Sequence, residues 1–134
     1  MRIALYLLGH LWALPHTLFG LLLLATVYRG KVTRWSWGGI EVRLDSNRDL
    51  IPKGMENGLF ETAAQTHGVL IFYVALSKRL RRHERRHVLQ CIILGGVLYP
   101  AAYGLLYVVG LCQGKSALEA YKAIWFEKNA RAAE

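Results

Sequence analysis

The chain has 134 residues, of which 54% are hydrophobic, and a formal net charge of +8. This length accommodates a single domain. The apolar residues are concentrated in two long blocks, 3–28 and 88–112. Each block approaches or exceeds the ~20 residues that cross the hydrocarbon core of a bilayer. The composition argues against an ordinary soluble domain and predicts a mainly α-helical, small integral-membrane protein with one membrane-embedded domain.

The first apolar block, 3–28, shares a basic start and an apolar core with secretory signal peptides. Its apolar stretch is longer than the ~7–15 residues of a signal-peptide core, and Pro15 interrupts it. The block ends in a basic boundary at Arg29 and Lys31 rather than in a small-residue cleavage site. We therefore predict a retained membrane element.

Residues 29–77 form a mixed segment between the two apolar blocks. Apolar and charged residues alternate over 40–45, which is the period of a half-buried strand. Residues 46–49 are typical of a turn, and 51–54 of irregular chain. The apolar run 69–74 is too short to cross a bilayer and fits either a buried strand or a helix. We expect a short β-strand or hairpin in this segment.

The third piece, 78–112, begins as a strongly basic segment and continues directly into the second apolar block. No proline or glycine interrupts 78–94, so the pattern predicts a helix that starts at about residue 78. The Gly95–Gly96 pair and Pro100 weaken this helix near its middle. The last piece, 113–134, contains a helix-permissive stretch from 117 to 133.

The basic residues predict an orientation and a partner. Most of the 17 lysines and arginines lie between Arg29 and Arg86, which places this segment on the cytoplasmic side of the inner membrane by the positive-inside rule. A basic run can also bind nucleic acid. Because the Lys78–Arg86 cluster adjoins an apolar block, we expect a bilayer with anionic headgroups as its partner and no nucleic acid.

His83 and His87 belong to a His-Glu-x-x-His motif. On a helix, two residues four positions apart share one face and can bind the same metal ion. Zinc in such motifs polarises a water molecule and the scissile carbonyl, while the glutamate, here Glu84, acts as general base. The motif therefore predicts a Zn²⁺ site with hydrolytic chemistry. An alternative is a solvated arginine-rich stretch whose histidines serve as mild cations.

A catalytic zinc site needs a third protein ligand. Glu127, 40 residues after His87, is the first candidate, because glutamate-type zincins take this ligand from a later helix. His67, which precedes a glycine, is a further candidate ligand. The other competitors are His10, His16 and Cys91. Tyr121 is a candidate for stabilising the oxyanion of the reaction.

The position of Glu127 imposes a condition on the fold. A straight helix over 88–112 would rise about 37 Å and carry Glu127 to the face of the membrane opposite His83 and His87. A helical hairpin of 88–98 and 101–112, each arm about 16 Å long, would return it to the same face. We therefore expect the chain to fold back between these two arms.

The chain resembles a group of small bacterial membrane proteins that carry an early Leu-Pro-His/x-Thr segment, a Thr-x-Gly-His or similar site, a His-Glu-Arg-x-His-x-x-Gln helix and a late Asn-Pro-Phe-Glu-x-x-Ala. The matching residues are spread over most of the chain: Leu14 to Thr17, Thr66 to Gly68, His83 to His87 with Gln90, Tyr99 to Tyr103, and Phe126, Glu127 and Ala130. The resemblance implies a zinc-metallopeptidase-like site in which His83, His87 and Glu127 bind the metal and Glu84 is the base.

Two functions follow from these observations. The first is a membrane-embedded zinc-dependent hydrolase, a metallopeptidase that cleaves peptide or protein substrates near the bilayer surface. The second is a non-enzymatic, small basic membrane protein that binds a partner protein and has a structural metal site or none. An oligomer that completes its site across an interface is compatible with either function.

Overall fold

A computed structural model describes residues 2–36, 38–45 and 64–134 of the chain. The turn and irregular chain expected at 46–54 lie outside the described residues. The six helices are α1 (Arg2–Trp12), α2 (Leu14–Thr26), α3 (Lys78–Leu94), α4 (Leu98–Cys112), α5 (Ala117–Ala123) and α6 (Trp125–Arg131). The four strands are β1 (Gly30–Ser36), β2 (Gly39–Leu44), β3 (Ala64–His67) and β4 (Leu70–Tyr73). The described protein is mainly helical with a small mixed sheet, as the composition predicted in outline.

The first apolar block is two helices rather than one continuous element. The break falls at Ala13, which is fully buried and separates α1 from α2. Pro15 lies in the first turn of α2. There its missing N–H leaves no hydrogen bond unmade, so the proline starts the second helix rather than kinking a longer one.

The mixed sheet has the strand order β1-β2-β4-β3. Two antiparallel hairpins, β1–β2 and β3–β4, are joined by parallel pairing of β2 with β4, in which Ile40 pairs with Leu70 and Arg43 with Tyr73. The expected β segment is therefore larger than a single hairpin. The ambiguous apolar run at 69–74 contains β4, which is a central strand.

Strand β4 is buried on both faces, which explains its continuous apolar sequence. Leu70 and Phe72 point to one side and pack with residues at the end of α2, including Leu24. Ile71 points to the other side and packs with Val88 of α3. The two cores thus hold α2 and α3 against opposite faces of the sheet.

A buried carboxylate fixes α3 on the sheet. Glu41 of β2 is 1% exposed, and its Oε1 accepts hydrogen bonds from Arg81 at 3.0 Å and from Arg85 at 3.3 Å. The two arginines are four residues apart and therefore share one face of α3. The same half of the helix carries the His-Glu-x-x-His motif.

Helices α3 and α4 are bent by 112° at the break between them. Gly95 ends α3 with φ of +90°, a conformation that glycine adopts without strain. The amide of Gly96 donates to the carbonyl of Trp12 at 2.8 Å, so this break packs on the break between α1 and α2. A β-carbon at Gly96 would lie 2.7 Å from the carbonyl oxygen of Ala13. The chain bends sharply in the region where a fold-back was expected, but the break lies between Leu94 and Leu98 rather than between residues 98 and 101, and Pro100 lies in the first turn of α4.

In the part of the chain that the structure describes, no single helix is both long and apolar enough to cross a membrane. Helices α3 and α4 pass this test together, but only as the bent pair.

The last piece of the chain forms two short helices instead of the one expected over 117–133. Ser116 caps α5 through a reciprocal pair of hydrogen bonds with Glu119. The chain then leaves helical geometry at Ile124, which is buried, and restarts as α6. Helix α6 packs against α3, where the side-chain amide of Gln90 donates to the carbonyl of Phe126.

Replacing Gly96 with alanine will destabilise the fold, because the added methyl group collides with backbone atoms of the α1–α2 break. We expect a loss of about 1–3 kcal/mol, typical of overpacking, measured as a lower thermal unfolding midpoint. Gly104→Ala is the matched control, since nothing lies within 4 Å of its β-carbon position. An equal loss of stability in both variants would contradict the packing described here.

Candidate metal centre

Three buried side chains meet between α3 and α6. His83, His87 and Glu127 each offer one ligand atom, and these atoms lie within 4.8 Å of one another. The Nε2 atoms of the two histidines are 3.1 Å apart. Glu127 lies 3.2 Å from His87 Nε2 through Oε1 and 3.5 Å from His83 Nε2 through Oε2. This group can hold a metal ion.

The outer nitrogen of each histidine is committed to another partner. Gln90 donates from Nε2 to Phe126 and Asn129, so its Oε1, 2.9 Å from His87 Nδ1, accepts a hydrogen bond from that nitrogen. His83 Nδ1 lies 2.9 Å from a carboxylate oxygen of Glu134, which also acts as acceptor. Neutral histidines held in this way carry their protons on Nδ1 and direct the Nε2 lone pairs inward.

The inward-facing atoms therefore repel one another unless a cation lies between them. With both histidines neutral, two Nε2 lone pairs and a carboxylate converge at 3.1–3.5 Å, and none of the three supplies a proton. Burial alone lowers the pKa of His83, but its interactions with Glu127 and Glu84 raise it above the ordinary value. A second proton on His83 thus competes with a metal ion for the same space.

Glu127 is held as an ionised carboxylate. Burial alone would raise its pKa, but its interactions with the His83 and His87 rings hold the pKa of Glu127 well below its usual range. Tyr103 of α4 donates to Oε1 at 2.8 Å, and Arg131 donates to Oε2 at 3.4 Å. Tyr121, the expected oxyanion residue, is also hydrogen-bonded to Glu127. Helices α3, α4, α5 and α6 all contribute to the setting of this one carboxylate.

Glu84 lies beside the cluster and is 3% exposed. Thr66 of β3 donates to its Oε2 at 2.6 Å, which fixes the carboxylate between the sheet and α3. Burial raises the pKa of Glu84 above its usual value, against the opposing effects of His87, Thr66 and His83. A carboxylate with a raised pKa next to a metal centre is suited to proton transfer.

The structure does not bring His67 to this cluster. Its ring packs against His16, Phe19 and Phe72, with centroids 5.4–5.7 Å away. Neither ring nitrogen of His67 has a hydrogen-bond partner among the described residues. His10, His16 and Cys91, the other competing ligands, also lie outside the only histidine, cysteine and carboxylate cluster found in the described ranges.

Sequence reasoning assigned no role to several residues around the centre. Gln90 had a usable signal, since it lies three residues after His87 and so one helical turn away on the same face. Tyr99 and Tyr103 are four apart on α4, and this spacing also predicts a shared face. The Tyr99 hydroxyl lies 3.0 Å from His87 Nδ1. Nothing in the sequence singled out Glu134, and the resemblance that includes Thr66 assigned it no role.

Comparison of the chain with protein-family models, with curated proteins and with solved structures gave no match.

Replacing Glu134 with alanine will weaken metal binding by about 10–100-fold, the usual effect of removing the partner that orients a metal-binding histidine. The measurement is competition for zinc with a chelator of known affinity. Glu119→Ala is the control: it also removes one carboxylate, from an exposed helix cap that does not touch the histidines. Equal zinc affinities in wild type and Glu134→Ala would exclude the orienting role.

Folding stability will fall as the pH drops from about 6.5 to about 4, partly because of His67. Burial, together with the nearby His16, lowers the pKa of His67 to about 4. In this window the unfolded chain binds a proton at His67 and the folded chain does not, so acid favours unfolding by roughly 2–3 kcal/mol. The His67→Leu variant will lose less stability than wild type over the same pH range, measured by thermal unfolding. The same pH dependence in both would contradict a buried neutral His67.

Proposed function

We propose that this protein is a zinc-dependent hydrolase that cleaves peptide bonds close to a bilayer surface. His83, His87 and Glu127 would hold the metal, and Glu84 would act as the general base. In this role the protein follows the expectations drawn from its His-Glu-x-x-His motif.

One observation carries the proposal: two imidazole nitrogens and a carboxylate of buried residues face one another, while the outer nitrogens of both histidines are held by dedicated partners. Such an arrangement costs free energy in a buried site unless a cation is bound. Two histidines and one carboxylate are a ligand set that catalytic zinc sites use, with a fourth position left for water or substrate. The chemistry of the donors therefore favours zinc.

The residues beside the cluster support a hydrolytic role over simple metal storage. Zinc would supply a polarised water and a Lewis acid for the scissile carbonyl. Glu84 would take the proton of the attacking nucleophile and pass it on to the leaving amine. Thr66, at 2.6 Å from its carboxylate, keeps Glu84 oriented. Tyr121 and Tyr103 keep their hydroxyl protons, since burial raises the pKa of both far above its usual value, and both hydroxyl groups orient the Glu127 ligand by hydrogen bonding to its carboxylate.

The location at a bilayer is supported by charge and exposure. The Lys78–Arg86 cluster forms the first half of α3, and the second half of the same helix is apolar. Arg79 of this cluster is largely exposed. Anionic headgroups on the cytoplasmic face of a membrane would attract such a cluster.

A structural metal site on a partner-binding membrane protein is the second candidate, and the enclosure of the centre favours it. His83, His87 and Glu127 are between 2% and 7% exposed. Structural zinc sites are closed in this way, whereas a hydrolase must admit its substrate. The presence of Glu84 between the histidines favours the enzyme, because a structural site does not require that carboxylate.

The Glu84→Gln variant separates the two functions. It keeps a side-chain oxygen that can accept from Thr66, so we expect it to fold and to bind one zinc ion per chain like the wild type. Hydrolysis of a peptide library will fall by about 10²-fold or more, because the general base is lost. Zinc content by mass spectrometry and turnover by peptide cleavage are the two measurements.

Glu119→Gln, which alters an exposed glutamate of α5, is the control and should cleave like the wild type. Zinc-free wild-type protein would exclude both candidate functions. If both proteins bind zinc and cleave peptides equally well, or if both bind zinc and neither cleaves peptides, the hydrolase is overturned and the structural site remains.

A further inference from the structure

Exposed apolar side chains surround the junction where the two helix breaks meet. At this junction, Gly96 packs against Ala13 and Trp12. Around it lie six large apolar residues that are 56–68% exposed: Leu8, Leu11, Trp12, Ile93, Val97 and Leu98. We call these six residues the apolar tip. An open depression on its surface is lined by Leu8, Gly9, Leu11 and Trp12.

Polarity changes along the helices that lead away from the apolar tip. No Asp, Glu, Lys or Arg occurs in 3–28 or in 88–114. Charges appear only at the far ends: Arg29 follows α2, Lys115 follows α4, and the first half of α3 is basic. Each of these helices thus has an apolar end at the tip and a charged end away from it.

The lengths of these helices match half of a bilayer better than a whole one. Helix α2 has 13 residues and α4 has 15, which correspond to about 20 Å and 22 Å. A hydrocarbon core is ~30 Å thick, so one leaflet contributes ~15 Å. The reversal of 112° between α3 and α4 brings the chain back towards the side from which it came.

We propose that the apolar tip inserts into a single leaflet of a lipid bilayer and that the chain enters and leaves on one side. The occupant of the exposed apolar face is then lipid hydrocarbon, and anionic headgroups contact the charged helix ends. Lipid fits this surface because the apolar faces of α2 and α4 extend without interruption from the tip to the first charged residues. A protein partner would not require charges to be excluded from every helix end that meets at the tip.

This insertion fixes the depth of the candidate metal centre. His87 lies eight residues before Gly95, which is about 12 Å along the helix. With the tip near the bilayer midplane, His83, His87 and Glu127 lie at the boundary between hydrocarbon and headgroups. The bonds that the metal centre can reach are those of peptides or lipids at that boundary. The insertion itself uses nothing of the proposed chemistry, and it stands or fails independently of zinc binding and turnover.

Depth-dependent fluorescence quenching tests the position of the tip. Trp12 becomes the only tryptophan after Trp35, Trp37 and Trp125 are replaced with phenylalanine. The protein is reconstituted into phosphatidylcholine–phosphatidylglycerol vesicles with bromines placed either near the acyl-chain ends or near the headgroups. We expect stronger quenching by the deep bromines. Absent quenching, as when a second copy or a soluble partner covers the tip, would overturn the proposal, and so would stronger quenching by the shallow bromines.

Labelling of single cysteines tests whether the chain enters and leaves on one side. Lys78→Cys and Lys115→Cys are each made in a Cys112→Ser background; the remaining Cys91 is buried. Sealed membrane vesicles from the expressing cells hold all chains in one orientation. A membrane-impermeant maleimide should label both positions or neither. Labelling of only one position would show that the α3–α4 pair crosses the bilayer and would overturn insertion into one leaflet.

A pair of lysine substitutions shows whether the tip drives membrane binding. Val97→Lys places a charge in the tip, and Val32→Lys places one on β1, at sites of similar exposure. Both positions are open enough for the chain to fold. We expect at least 10-fold weaker vesicle binding for Val97→Lys only. Equal binding of the two variants would overturn the role of the tip.

Discussion

The hydrogen bond from the Gly96 amide to the Trp12 carbonyl holds together the two helix breaks on which the rest of the molecule depends. It is 2.8 Å long and joins segments that are more than 80 residues apart in the chain. Because the chain turns back at this point, α5 packs on α4 and α6 packs on α3. A straight continuation of α3 over 88–112 would have carried the chain about 37 Å further along one axis. Glu127 could not then have met His83.

Sequence reasoning reached the elements that local chemistry determines. The helix from Lys78 to Leu94 follows from an uninterrupted run of helix formers, and the reversal follows from Gly95 and Gly96. The expectation that Glu127 returns to the histidines needed one more step. It came from comparing the length of the apolar block with the distance that a shared metal ion allows. Fixed geometry of helices was enough for this step, because rise per residue does not depend on tertiary contacts.

The remaining features depend on contacts between distant segments and left no local pattern. Proline at position 15 predicts a disturbance of a helix, but only the packing at Ala13 makes it the start of a second one. The parallel pairing of β2 with β4 joins two hairpins that are each locally complete. Glu134 reaches His83 because α6 ends beside α3, which no periodicity indicates. Such pairings are decided by burial and not by propensity.

The arrangement of charge at the centre links metal binding to the integrity of the fold. Glu127 is 2% exposed, and its polar contacts come from α3, α4, α5 and α6. Without a cation, the inward lone pairs of the two histidines and this carboxylate repel one another in a medium that screens weakly. A proton on His83 relieves part of this repulsion, and a divalent ion relieves all of it. The free energy of binding a metal ion at this centre would therefore act on the packing of α6 against α3, so that metal and fold would stabilise each other.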